Sequence, residues 1–322
     1  MDSSDARRTM SSAACHAPVA VHRLPRRRSL PAMAAALLSL ALMPGLQACD
    51  PSRAESMRTL GEGISRFQQN DAISALRLFE RAAEQDPSNA QAHHLVGLVL
   101  LQTYNNAGAA VEHLARAVEL DDDEPDHHYQ LGIALGRIGE RTEAMNALRA
   151  TVERDPNHAR ALYRLGRLQL QGGETTGAIS TFTRAIHADP LFEQPWNALG
   201  NLYFDRGRPQ EALAVFENAI LINPEATSVY ADVGRVYLAM GESDAAIEFL
   251  REASQHRGAP EAVHYNLGVS LRTRYEQSGR PSDRDDAIRS LTRALGQCNA
   301  LADRTRCSSI QRMITELQRG GN

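Results

Sequence analysis

Apolar and small residues recur at helical spacing along most of this chain, and the pattern is clearest between Glu193 and Ala226. Trp196, Leu199 and Tyr203 fall at i, i+3 and i+7, and Ala212, Phe216 and Ala219 fall at i, i+4 and i+7. Each set makes one apolar face of an amphipathic helix. Gly207 lies between the two sets and suits a short turn. Pro224 follows the second set, where it cannot extend a helical hydrogen-bond ladder. Gly200 and Ala212 are small enough to let two helices approach closely. The segment therefore predicts a helical hairpin.

The hairpin repeats. Gly63, Gly97, Gly132, Gly166, Gly200, Gly234 and Gly268 are separated by 34, 35, 34, 34, 34 and 34 residues. A fixed period of this size marks a stacked array, in which each unit buries against its neighbours a face it cannot bury alone. The other units keep the pattern less fully. Leu165, Ala178, Phe182, Ala185 and Pro190 hold their places around Gly166, with Gln169 standing where Tyr203 stands in the clearest unit. The Gly97 unit carries one extra residue near Asn105 and Asn106. The end units are the most atypical: Glu62 precedes Gly63, and extra residues between Arg274 and Arg284 predict lengthened helices around a longer turn. A last amphipathic segment, Ala302–Leu317, reads as a cap. Ile310, Met313, Ile314 and Leu317 are expected to face inward, and Arg304, Arg306 and Arg312 outward.

Trp196, Leu199, Gly200, Tyr203, Ala212, Phe216, Ala219 and Pro224 match the signature positions of the tetratricopeptide repeat, which this chain resembles over residues 56–301. The resemblance implies an all-α, right-handed superhelical solenoid of seven helix hairpins, closed by a C-terminal capping helix at 302–319. It also implies a concave groove lined by the first helix of each hairpin, with a peptide or partner subunit as ligand. Carried onto this chain, the groove positions are Tyr129, Gln130, Arg160, Tyr163, Arg164, Arg167, Gln194, Asn197, Asn201, Phe204, Asp232, Arg235, Tyr265 and Asn266. Arg160, Arg164 and Arg167 stand at i, i+4 and i+7 on one helix face, and their guanidiniums offer forked donors to carboxylates. Asn197 and Asn201 suit a peptide backbone, and Tyr163, Phe204 and Tyr265 offer apolar anchorage. The ligand this set suits is an acidic or carboxylate-bearing peptide; the alternative is a solvated inner face whose arginines pair with neighbouring acids.

Residues 1–48 read differently. Arg23, Arg26, Arg27 and Arg28 precede a largely apolar run, Leu30–Leu46, and then comes Leu46-Gln47-Ala48-Cys49. A basic region, a short apolar region and a small residue before the cut make an export signal. Leu46, Ala48 and Cys49 resemble a bacterial lipoprotein box, which implies a lipidated Cys49, a short linker at 49–55 and a membrane-anchored protein facing the periplasm. A simple export signal and a retained anchor are the alternatives.

Composition narrows the function further. Net charge is −4, with 39 acidic against 35 basic residues, so no basic surface for nucleic acid is indicated. Every basic residue is Arg. No metal-ligand or nucleotide-binding spacing occurs, and no cofactor is expected. His93, His128 and His264 occupy the position of Trp196 in their own units, which makes them packing residues rather than ligands. Cys298 and Cys307 either pair across the turn before the cap or remain two small buried thiols. The array leaves little of the chain for catalysis, so no enzyme is expected. A scaffold for assembling an envelope, secretion or pilus-type complex is the leading reading. The alternatives are a substrate-recruiting subunit of a separate enzyme, such as a glycosyltransferase, and a soluble scaffold.

Overall fold

The computed structural model describes residues 51–298 and 303–320. The signal region and the candidate lipidation residue Cys49 lie outside the described residues. Fifteen helices and no strand occur among the residues described. They pair as hairpins: α1 (Pro51–Gln68) with α2 (Ala72–Gln85), α3 (Ala90–Gln102) with α4 (Ala107–Leu120), α5 (Pro125–Ile138) with α6 (Arg141–Arg154), and α7 (Ala159–Gln171) with α8 (Thr175–Ala188). Then come α9 (Glu193–Asp205) with α10 (Pro209–Ile222), α11 (Thr227–Ala239) with α12 (Ser243–Ala253), and α13 (Glu261–Ser278) with α14 (Pro281–Gln297). The cap is α15 (Arg304–Arg319). Residues 51–55, read from sequence as linker, belong to α1. Pro51 opens that helix, where its missing N–H removes no bond, and Arg53, Ala54 and Glu55 continue it as ordinary helix formers.

The periodic glycines are contact points between the two helices of each hairpin. A Cβ added at Gly200 would stand 2.4 Å from the Phe216 ring, and one at Gly234 would stand 2.4 Å from Leu250. Gly63, Gly97, Gly132, Gly166 and Gly268 face Phe79, Leu114, Leu148, Phe182 and Leu291 in the same way. All seven large partners are almost fully buried. The missing side chain on one helix is thus the space filled by the large one on the other. Between hairpins, each second helix packs on the first helix of the next unit. Phe182 shares a core with Trp196 and Leu199, and Leu250 shares one with Leu267.

Turn chemistry follows from the sequence at each boundary. Asp86, Asp155, Asp189 and Asn223 end α2, α6, α8 and α10. Each side chain accepts from the backbone N–H two residues on, at 3.0–3.2 Å. The extra residue of the second unit lengthens its turn to residues 103–106, in which Asn105, at a φ of 51°, takes the left-handed place that Asn70 holds in the first hairpin and Gly139, Gly173, Gly207 and Gly241 hold in the third to sixth. The seventh hairpin departs from expectation. Its extra residues lengthen α13 and α14, but the turn is short, only Gly279 and Arg280. Gly279 ends α13 at a φ of 68° and Pro281 opens α14, so the reversal needs no longer loop.

The cap α15 buries Ile310, Ile314 and Leu317 against the core of the last two hairpins, with Met313 partly buried beside them. A disulfide joins Cys298 to Cys307, with Cα atoms 5.8 Å apart. Arg304 and Arg312 are exposed, but Arg306 is not turned outward as the helical spacing predicts. Glu261 on α13 holds it inward, at 3.1 Å.

Candidate binding face of the first helices

The candidate residues all lie on first helices: Tyr129 and Gln130 on α5, Arg160 to Arg167 on α7, Gln194 to Phe204 on α9, Asp232 and Arg235 on α11, and Tyr265 and Asn266 on α13. Several bridge consecutive first helices. Arg164 Nε donates to the Tyr129 hydroxyl at 3.4 Å. Arg235 reaches back to donate to Asn201 Oδ1. Asn266 Nδ2 donates to the Ala231 carbonyl at 2.7 Å. Bridges of this kind span 34 or 35 residues in sequence, one unit each.

The cations on this face differ sharply in what surrounds them. Arg235 is held by Asp232 at 3.0 Å and by Asn201, and its guanidinium lies 4.4 Å over the Phe204 ring. Burial pushes the Asp232 carboxyl above its ordinary range, against the opposing pull of Arg235. Arg235 is therefore already neutralised. On α7 the situation is reversed. Arg160, Arg164 and Arg167 are exposed, and among the described residues none has a carboxylate within ion-pair distance. Arg167 lies 5.9 Å over the Tyr163 ring, which itself meets Phe182 and Phe192.

The two asparagines have different surroundings. Asn201 donates to the Asn197 carbonyl at 2.8 Å, while the Asn197 side-chain oxygen is buried without a protein partner. The Gln130 side-chain oxygen is in the same condition. Gln194 is exposed. Tyr265 is covered in part by Arg306, whose guanidinium lies 4.7 Å over its ring. Sequence reasoning missed Arg306 because its partner Glu261 is 45 residues away and belongs to another helix. The acidic residue at the start of α13, opposite a basic residue early in the cap, is the one available signal.

The histidines are structural in their contacts. His128 Nε2 lies 2.9 Å from the Asp122 carbonyl, six residues back. Trp196 Nε1 donates to the Pro190 carbonyl at 3.0 Å and the Tyr230 hydroxyl to the Pro224 carbonyl at 3.1 Å, by the same offset. One polar ring atom at this position thus ties the first helix to the turn before it. His94 packs against His127 with ring centroids 4.8 Å apart, and burial pushes its pKa down to about 4. No group of three or more His, Cys, Asp or Glu is gathered as a metal-binding set among the described residues.

Models of the tetratricopeptide repeat match residues 60–125, 129–191 and 203–265. The chain belongs to the tetratricopeptide repeat family. Solved structures agree on the fold. A tetratricopeptide repeat protein from Parabacteroides merdae is 15% identical, over 82% of this chain and 98% of its own, with a TM-score of 0.54. The pilF protein of Pseudomonas aeruginosa is 21% identical, over 73% of this chain and 98% of its own, with a TM-score of 0.52. A MamA protein is 24% identical, over 56% of this chain and 96% of its own, with a TM-score of 0.50. At these identities the likeness speaks to architecture alone. No curated protein matches the chain.

Proposed function

We propose that this chain is an exported adaptor, anchored to a bacterial membrane through a lipidated Cys49 and facing the periplasm. It holds an acidic peptide, or an acidic segment of a partner subunit, against its first helices. The observation that carries the ligand reading is the unneutralised row Arg160, Arg164 and Arg167 on α7, set beside a self-neutralised Arg235. Three forked donors on one helix face, with an aromatic floor at Tyr163, suit carboxylates presented by an extended chain. The leader pattern Arg26–Arg28, Leu30–Leu46 and Leu46-Gln47-Ala48-Cys49 supports the tether. No helix among the described residues is long and apolar enough to cross a membrane, so in this reading attachment falls to the acyl group. The task that fits is assembly of an envelope, secretion or pilus-type complex. The test is crosslinking in native membranes. Arg164→Glu with Arg167→Glu is expected to abolish capture of the partner while leaving helicity unchanged. Unaltered capture rejects the assignment.

A further inference from the structure

Among the described residues, no helix packs on the upstream side of the first helix. Each later first helix is packed between two second helices, the preceding unit's and its own. The other end of the stack is closed by α15, which covers α14. The helix α1 has α2 behind it, through buried Ser56, Thr59, Leu60 and Gly63, and its opposite face is exposed. That face presents Ala54, Met57 and Gly61 between two arginines, Arg53 on one flank and Arg58 on the other. Met57 is 42% exposed, and nothing lies within 4 Å of a Cβ built on Gly61. Neither arginine has an ion pair among the described residues. Of the two acids on α1, Glu55 is turned toward α2, where Gln85 donates to it at 2.9 Å and Arg81 stands 4.0 Å away. Glu62 lies a turn beyond Arg58, farther from the start of the helix.

We infer that this face of α1 docks on the surface of an anionic phospholipid bilayer. The inference rests on the lipidated Cys49 proposed above. Cys49 precedes Pro51 by two residues, so an acyl group there keeps the start of α1 within about 7 Å of the residue carrying it. The headgroup layer is therefore the first surface α1 meets. Arg53 and Arg58 match lipid phosphates in charge, and Met57, between them, can enter the interface. The acyl group supplies the attachment. The face selects an orientation, because contacts too weak to bind alone suffice once the tether makes them intramolecular. The array is thereby held by its first unit, leaving the α7 arginines, three hairpins away from the membrane end, open to a partner.

The acylated protein in vesicles of phosphatidylcholine and phosphatidylglycerol provides the test. Cysteine is introduced at Met57 or, as a distant control on α15, at Gln318, and labelled with a fluorophore. The native thiols do not interfere: Cys298 and Cys307 are bonded to each other, Cys49 is acylated, and Cys15 leaves with the signal. Nitroxide-headgroup lipid is expected to quench the label of Met57→Cys several-fold more than that of Gln318→Cys. Arg53→Glu with Arg58→Glu is expected to remove the difference. Equal quenching at both labels, in protein whose mass shows the acyl group, overturns the docking and leaves the tether standing. Quenching at residue 57 that survives the double reversal overturns it as well, because the tether alone then accounts for the closeness of α1 to the lipid. A mature chain without acyl mass removes the tether, and the docking with it.

Discussion

Arg235 lies with its guanidinium 4.4 Å over the Phe204 ring while its charge is met by Asp232 at 3.0 Å. Both partners come from the set of residues that sequence places on the binding face, so this cation is occupied before any ligand arrives. Removing the occupying carboxylate is the direct way to expose it. Asp232→Asn is expected to tighten binding of a fluorescein-labelled Glu-rich peptide several-fold, read by anisotropy. An unchanged affinity would show that the peptide does not reach α11.

Gly200 and Gly61 are both helical glycines, yet their replacement by Ala has opposite expected signs. A Cβ at Gly200 would meet the Phe216 ring at 2.4 Å, so Gly200→Ala should destabilise the protein by about 1–3 kcal/mol through overpacking. Gly61 has nothing within 4 Å of its added Cβ, so Gly61→Ala should stabilise by about 0.5–1 kcal/mol through helix propensity. Urea midpoints of the two variants give the check.

Acid should loosen the boundary between the second and third hairpins. Burial against α5, with His127 adding its repulsion, pushes His94 from its ordinary 6.5 down to about 4, while Asp126 pulls the other way. In the unfolded chain the imidazole regains its ordinary value and binds a proton that the folded form refuses. Stability is therefore full above pH 6.5 and falls as pH drops through the window down to about 4. The loss from this group amounts to about 3 kcal/mol. His93 and His264, also held low chiefly by burial, act with the same sign. The carboxyl of Asp126, held below its usual range mainly by His158, adds a further loss at still lower pH. Urea midpoints across pH 4 to 7 should show the slope, and His94→Gln should flatten most of it.

The disulfide between Cys298 and Cys307 closes a loop with a sequence separation of 9. Cross-linking a loop of this size is worth about 3 kcal/mol in the chain-entropy account. Reduction should therefore raise amide exchange in α15 and around Arg306 while leaving the first five hairpins unchanged, because each unit contacts only its neighbours. Uniform acceleration along the chain would show that the array unfolds as one block.

Much of the fold was legible because its determinants are local. The pairing of Gly200 with Phe216 follows from a small residue and a large one placed 16 positions apart, a spacing that five of the seven hairpins share; Gly97 and Leu114 stand 17 apart, and Gly268 and Leu291 stand 23 apart. The seventh turn was less legible. Extra residues between Arg274 and Arg284 can enter either a loop or two longer helices, and the packing of α13 on α14 settles the choice for helix. The placement of the α7 arginines on one helix face was readable from i, i+4 and i+7 spacing alone. Their lack of acidic partners was not.

By itself, the sequence determined the period, the helical hairpin and the residues that fill its core, since these depend on spacing within some thirty-four positions. Tertiary structure decided which charges remain available. Arg235 meets Asn201 a full unit away, and Arg306 folds inward to Glu261 and Tyr265 from a different helix. A guanidinium's partner is set by proximity across the stack, and that proximity exists only once neighbouring units have packed.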